Sequence, residues 1–220
     1  MNLQSAMRID ASMIGIMGGT FDPVHFGHLR TAIEVRETFE LDEIRLVPCR
    51  QPPHRSQPVA PPELRRTMLE RAIGDEPGFL IDARELDRSG PSYTVDTLRS
   101  MRAEFPNVRL GLILGIDAFS GLQSWHRWRN LPKLTHFIVL HRPGYPTRIP
   151  EGLSQAGLFR FAQCVDELKS NEAGCVYFLK LSQLEISSST IREIIGSKRN
   201  PRFLLPELVL EVIREQRLYR

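Results

Sequence analysis

Cysteine is scarce: the 220 residues hold three, Cys49, Cys164 and Cys175, widely spaced and without a C-x-x-C pair. That excludes a disulfide scaffold and a zinc ribbon and fits a reducing compartment. Long apolar runs are missing as well. Stretches such as Leu112-Ile113-Leu114 span only a few residues, against roughly 20 for a membrane-crossing helix, so no membrane partner is expected. The opening MNLQSAMRIDAS lacks the apolar core of a secretory signal, and the expected location is the cytoplasm. Lysine is rare, with 4 against 25 arginines among the 29 basic residues. Planar, bidentate arginine suits carboxylate and phosphate partners, although skewed codon usage produces the same bias. The net charge is only +3 and acidic residues are interspersed with basic ones, so no nucleic-acid stripe stands out. Repeats of 20–50 residues are absent, which excludes solenoids and propellers.

What remains is an ordinary globular composition, 41% hydrophobic and 25% charged, too apolar for disorder. The length suits one domain over residues 13–220, with residues 1–12 an extension matching no pattern. Short β-type runs alternate with amphipathic helical patterns. Strands are expected at 13–17, 44–47, 79–83, 108–115, 137–140 and 176–179. Helices are expected at 27–40, where Ala32, Val35 and Phe39 form one stripe, and at 63–73, 94–105, 188–195 and 207–217. The run at 108–115 is the most apolar and therefore the candidate central strand. Residues 50–62 contain five prolines and read as a surface loop; residues 145–173 read as a peripheral helix and loops. The alternation defines an α/β fold, a Rossmann-like doubly wound parallel sheet.

The segment GGTFDPVHFGH, Gly18 to His28, joins the first strand to the first helix. Ligands of open α/β sheets bind at that edge, where helix N-termini present free N–H groups to anions. Gly18 and Gly19 let an anion approach the backbone, Thr20 adds a hydroxyl, and His25 and His28, three apart, can face one anion. The segment is not a Walker A loop, having no lysine, and it is not G-x-G-x-x-G. Zinc ligation by H-x-x-H lacks the companion ligands that a zinc site needs. A turn with a capping histidine is the plainer alternative, and Asp22 reads as a turn former rather than a catalytic acid.

This segment resembles the first signature of the nucleotidyltransferase superfamily, and ISSSTIR, Ile186 to Arg192, resembles its second. QPPHR at 51–55, SYTVDTL at 92–98, GIDAF at 115–119, WHRW at 125–128, HRPG at 141–144 and the C-terminal LPELVLEVIREQRLY are similar to the bacterial nicotinate-nucleotide adenylyltransferase family. The resemblance runs over residues 13–220. Arg55 stands where that family often has lysine, and Ser189 where it often has threonine.

The resemblance implies transfer of AMP from ATP to nicotinate mononucleotide, giving nicotinate adenine dinucleotide and pyrophosphate by in-line attack, a step of NAD biosynthesis. His25, His28 and Arg192 would be catalytic. Gly18, Gly19, Thr20, Phe21, Asp117, Ser187, Ser189 and Arg192 would bind ATP, Asp117 through its ribose hydroxyls. Thr94, Trp125 and the backbone of His126 would hold the nicotinate, and His54 and Arg55 a phosphate. Magnesium would arrive with ATP, and no metal site of the protein's own is expected. Trp128, His136 and His141 read as structural, and a homo-oligomer is left open. Two other readings are a sister enzyme adenylylating phosphopantetheine and a nucleotide sensor without catalysis.

Overall fold

The computed structural model describes residues 13–53, 57–142, 148–182 and 184–220. His54, Arg55 and the first dozen residues lie outside them. Seven strands form one sheet: β1 (Met13–Gly19), β2 (Glu43–Pro48), β3 (Phe79–Ile81), β4 (Arg109–Gly115), β5 (His136–Leu140), β6 (Arg160–Phe161) and β7 (Cys175–Leu179), in the order β3-β2-β1-β4-β5-β7-β6. The flanking helices are α1 (Phe26–Phe39), α2 (Pro62–Ile73), α3 (Arg84–Asp87), α4 (Thr94–Glu104), α5 (Ile116–Ser120), α6 (Glu151–Ser154), α7 (Val165–Lys169), α8 (Ser188–Gly196) and α9 (Glu207–Glu215). The run read as the central strand is β4, fourth of seven. Two expectations need correction. The third strand stops at Ile81 because Asp82 turns back to accept from the Arg84 amide and guanidinium, which starts α3. The stretch 145–173 is not only helix and loop, since it contains β6, a two-residue parallel partner of β7.

The chain divides into two compact units. The first comprises residues up to 17 with 36–44 and 93–181. Its strands pair in parallel, Ile16 opposite Leu112, Leu112 opposite Phe137 and Ile138 opposite Tyr177. Leu110, Leu112, Ile113 and Leu114 are buried along β4, as expected of a strand covered on both faces. The Thr135 hydroxyl accepts from the Leu112 amide and donates to the Leu110 carbonyl, fixing the start of β5 against β4. Trp128 is core, as expected: it is buried and its ring lies parallel to that of Phe159. His136 is fully buried between the Asn171 carbonyl at 3.1 Å and the Cys175 amide at 3.3 Å.

The second unit comprises residues 18–35, 45–92 and 182–220. β3 joins β2 through the Asp82 amide and the Leu46 carbonyl. Helix α9 packs against α2, burying Val209, Leu210, Val212 and Ile213 of one and Met68 and Leu69 of the other. This unit carries both sequence signatures, remote along the chain.

Candidate active site

The first signature leaves β1 at Gly18 and Gly19. A side chain at Gly18 would meet nothing within 4 Å, whereas one at Gly19 would press on the Phe21 ring at 3.3 Å. Packing therefore accounts for Gly19. Gly18 borders open space, where the naked backbone is reachable by a ligand. Phe21 is buried with a left-handed φ of 48°, a conformation a bulky residue adopts only when its surroundings hold it. Its ring meets that of His28 edge-on at 5.0 Å.

Helix α1 follows, and His25 caps it. The His28 and Leu29 amides donate to the His25 carbonyl, and the His25 amide donates to His28 Nδ1 at 3.3 Å. The imidazole at the third helical position thus does what the glutamate of a capping box does. Because Nδ1 accepts, the ring hydrogen of neutral His28 sits on Nε2. The two rings lie 3.7 Å apart, tilted by 30°. Burial lowers His25 to about 4; burial, then the charge His25 would carry, holds His28 well below its ordinary value. Both are neutral at pH 7. His25 Nδ1 is buried without a hydrogen-bond partner among the described residues.

Asp22 is buried and its carboxylate is a hub. One oxygen accepts from the Val59 amide at 2.7 Å; the other accepts from the Ala60 amide at 3.0 Å and the Tyr219 hydroxyl at 2.6 Å. The residue sits in a turn, but its side chain reaches across the chain instead of closing that turn, which corrects the turn-former reading. The loop reading of 50–62 also changes at its end: Ala60 is 1% exposed, pinned by Asp22. Arg65, fully buried on α2, donates to the carbonyls of Thr20 at 2.7 Å and Ala60 at 3.1 Å. These ties fix the backbone of the first signature on both sides of Asp22.

The second signature reaches the same place. Ser187 caps α8, accepting from the Thr190 amide at 3.1 Å, and its hydroxyl meets those of Ser189 at 2.9 Å and Thr190 at 2.8 Å. The Ser188 hydroxyl donates to the Pro23 carbonyl at 2.9 Å, and Arg192 Nη1 donates to the Asp22 carbonyl at 2.7 Å. Ile186 passes so close to Gly27 that a Cβ there would lie 3.5 Å from its carbonyl. Ser187 and Ser189 are exposed and Arg192 half-buried. The two signatures, expected to converge on one anion, do meet.

The other expected residues lie in the first unit. Asp117, in the first turn of α5, accepts from Arg142 Nη1 at 2.7 Å, leaving its second oxygen without a described partner. Thr94 opens α4, whose first amides lack intrahelical acceptors. Tyr93 before it stacks on the His126 ring at 4.2 Å, so Thr94, Trp125 and His126 belong to one neighbourhood, with Trp125 half-buried. Tyr93, Arg142, Arg65 and Tyr219 were not singled out from sequence. Their partners lie far along the chain or depend on the fold; Tyr93 inside SYTVDTL, Arg142 inside HRPG and Tyr219 at the end of LPELVLEVIREQRLY lay in segments that carried a signal, whereas Arg65 lay in none. Among the described residues no group of three or more His, Cys, Asp or Glu could hold a metal ion.

A family model described as cytidylyltransferase-like matches residues 16–194. A protein of Methylococcus capsulatus, named a probable nicotinate-nucleotide adenylyltransferase, is 51% identical over 208 residues, covering 94% of this chain and 99% of its own. One of Halorhodospira halophila with the same name is 46% identical, covering 97% and 98%. Among solved structures, the Plasmodium falciparum nicotinic acid mononucleotide adenylyltransferase complexed with NaAD has the same fold, with a TM-score of 0.72 at 21% identity over 94% of this chain and 97% of that one.

Proposed function

The chain belongs to the cytidylyltransferase-like family and, within it, to the nicotinate-nucleotide adenylyltransferases, and from that premise we infer that it transfers AMP from ATP to nicotinate mononucleotide, releasing pyrophosphate, in NAD biosynthesis. The observation that carries the reading is the junction of the two signatures through Ser188 and Arg192.

In the reaction a phosphate oxygen of the mononucleotide attacks the α-phosphorus of ATP. A new P–O bond forms as the bond from the α-phosphorus to the oxygen bridging it to the β-phosphate breaks, and that oxygen leaves in pyrophosphate with the bonding electron pair. The attacking oxygen is already ionised at pH 7, so no general base is required. The work is alignment of two anions and stabilisation of charge on the α-phosphorus and the leaving group. Gly18, Gly19, Thr20 and Phe21 offer backbone or hydroxyl donors to the nucleotide. His28 Nε2–H, beside the α1 N-terminus, donates to the oxygens gathering charge, and His25 completes the pair. Ser187, Ser189 and Arg192 grip the β- and γ-phosphates. Asp117 accepts from ribose hydroxyls through its second oxygen. Trp125 stacks on the pyridine ring, while Thr94 at the α4 N-terminus and the His126 amide take its carboxylate. With no acidic cluster among the described residues to cage it, Mg²⁺ comes as part of the substrate, held on triphosphate oxygens and water.

The test mixes protein, MgATP and nicotinate mononucleotide and follows pyrophosphate, with nicotinamide mononucleotide and phosphopantetheine in parallel. Turnover fastest with nicotinate mononucleotide is expected. Tight MgATP binding without pyrophosphate would make the chain a sensor, and a preference for phosphopantetheine would make it the sister enzyme.

A further inference from the structure

Arg192 faces two claims. Its guanidinium is the cation assigned to the triphosphate, yet Nη1 already lies 3.9 Å from an Asp22 carboxylate oxygen. That carboxylate is buried and negative, and a full ion pair with it would withdraw Arg192 from any substrate. What prevents the pair is saturation. The near oxygen, Oδ2, is held by the Val59 amide, and Oδ1 by the Ala60 amide and, at 2.6 Å, by the Tyr219 hydroxyl. With three donors satisfying it, the carboxylate has little to gain by turning toward Arg192, and among the described residues the guanidinium takes only the backbone carbonyl of Asp22.

We propose that Tyr219 is a positioning residue for the triphosphate clamp: its hydroxyl holds the Asp22 carboxylate in place and leaves Arg192 available to substrate phosphates. The residue is suited to the task. It is 8% exposed, and burial and the adjacent Asp22 charge keep its hydroxyl protonated, so it remains a donor across the working pH range. It also follows α9, which packs on α2, the helix that carries Arg65. Without the hydroxyl, Oδ1 keeps one buried partner, the Ala60 amide, and the carboxylate gains by rotating toward the only cation within 4 Å among the described residues, Arg192.

The proposal rests on the functional reading only in that Arg192 meets the triphosphate. The test is a cycle of four proteins: wild type, Tyr219→Phe, Arg192→Ala and the double variant. Each is measured for MgATP affinity without second substrate, for turnover, and for melting temperature. Tyr219→Phe is expected to weaken MgATP binding and lower kcat/KM for ATP about tenfold in the wild-type background, and by less than twofold once Arg192 is gone. A merely structural tyrosine would lower the melting temperature in both backgrounds and change MgATP affinity by the same factor in each, which overturns the proposal; so does an unchanged affinity in the single variant. Ligand-free NMR gives a second readout, since the Arg192 guanidinium N–H resonance should shift in Tyr219→Phe toward the position of an ion-paired arginine. An unmoved resonance also overturns it. A wild type that binds MgATP but releases no pyrophosphate would fell the functional reading and leave this coupling intact.

Discussion

Neutral imidazoles suit adenylyl transfer because they favour the transition state without clamping the ground state. A resting pair of imidazolium rings 3.7 Å apart would repel each other and hold any polyanion tightly, reaction or not. His25 and His28 avoid this, since burial keeps both neutral. In the proposed reaction, one directed N–H on His28 Nε2 then meets charge as it develops. His28→Ala should therefore lower kcat about a hundredfold or more, the usual cost of one such donor, while the dissociation constant for MgATP stays within about threefold. Single-turnover kinetics beside equilibrium binding separates the two quantities. Equal losses in both would move His28 to ground-state binding. The histidines themselves were legible because they are close along the chain, at the helix entrance where an anion belongs. The hydrogen bond that selects the Nε2–H form was not, since it depends on how the ring folds back on the His25 amide.

At the scale of elements, the proposed function puts two demands on one residue of α8. The Ser187 hydroxyl accepts the Thr190 amide to start the helix, and it also faces solvent among Ser189 and Thr190, where the triphosphate is assigned. Capping and phosphate binding can be separated by substitution. Ser187→Ala should cost about 1 kcal/mol of stability through loss of the cap and weaken MgATP only modestly. Ser187→Asp keeps the cap and complements the helix dipole, so its melting temperature should match wild type; its carboxylate opposes the phosphates and should weaken MgATP at least tenfold. Thermal melts with calorimetric titration check both. If Asp binds MgATP as well as Ser, the α8 N-terminus does not face the triphosphate. The cap was visible in ISSSTIR because capping is local. The attachment of α8 to the first signature was not, because Asp22 and Arg192 are 170 residues apart and Asp22 and Tyr219 are 197 apart. No periodicity encodes such pairs. The same locality explains the elements: α1, α2 and α4 were read to within a residue or two, while two-residue β6 carries no pattern at all and exists through its partner β7.

For the molecule as a whole, acid is the condition that acts on both units. The β4 core was legible as the most apolar of the strand runs, but nothing in KLTHFIVL, residues 133–140, announced that His136 inside β5 would be sealed from solvent. Its Nδ1 accepts from the Cys175 amide and its Nε2–H donates to the Asn171 carbonyl, an arrangement complete only for the neutral ring. A proton on Nδ1 would face the Cys175 N–H donor against donor. Burial lowers His136 to about 4, as it lowers His25. In the unfolded chain both titrate near 6.5, so below that pH the unfolded state takes up protons that the folded state refuses. The stability these histidines contribute is therefore complete above about pH 6.5, falls as pH drops, and is gone near pH 4, on the order of 3 kcal/mol for each by this linkage. Melting temperature should decline through that window more steeply than ionised carboxylates alone would produce. His136→Gln, which can accept from the Cys175 amide and donate to the Asn171 carbonyl without titrating, should melt lower at pH 7.5 yet lose less between pH 6.5 and 4. Parallel melting curves for wild type and variant would show sealing of His136 to be irrelevant to the fold's acid response.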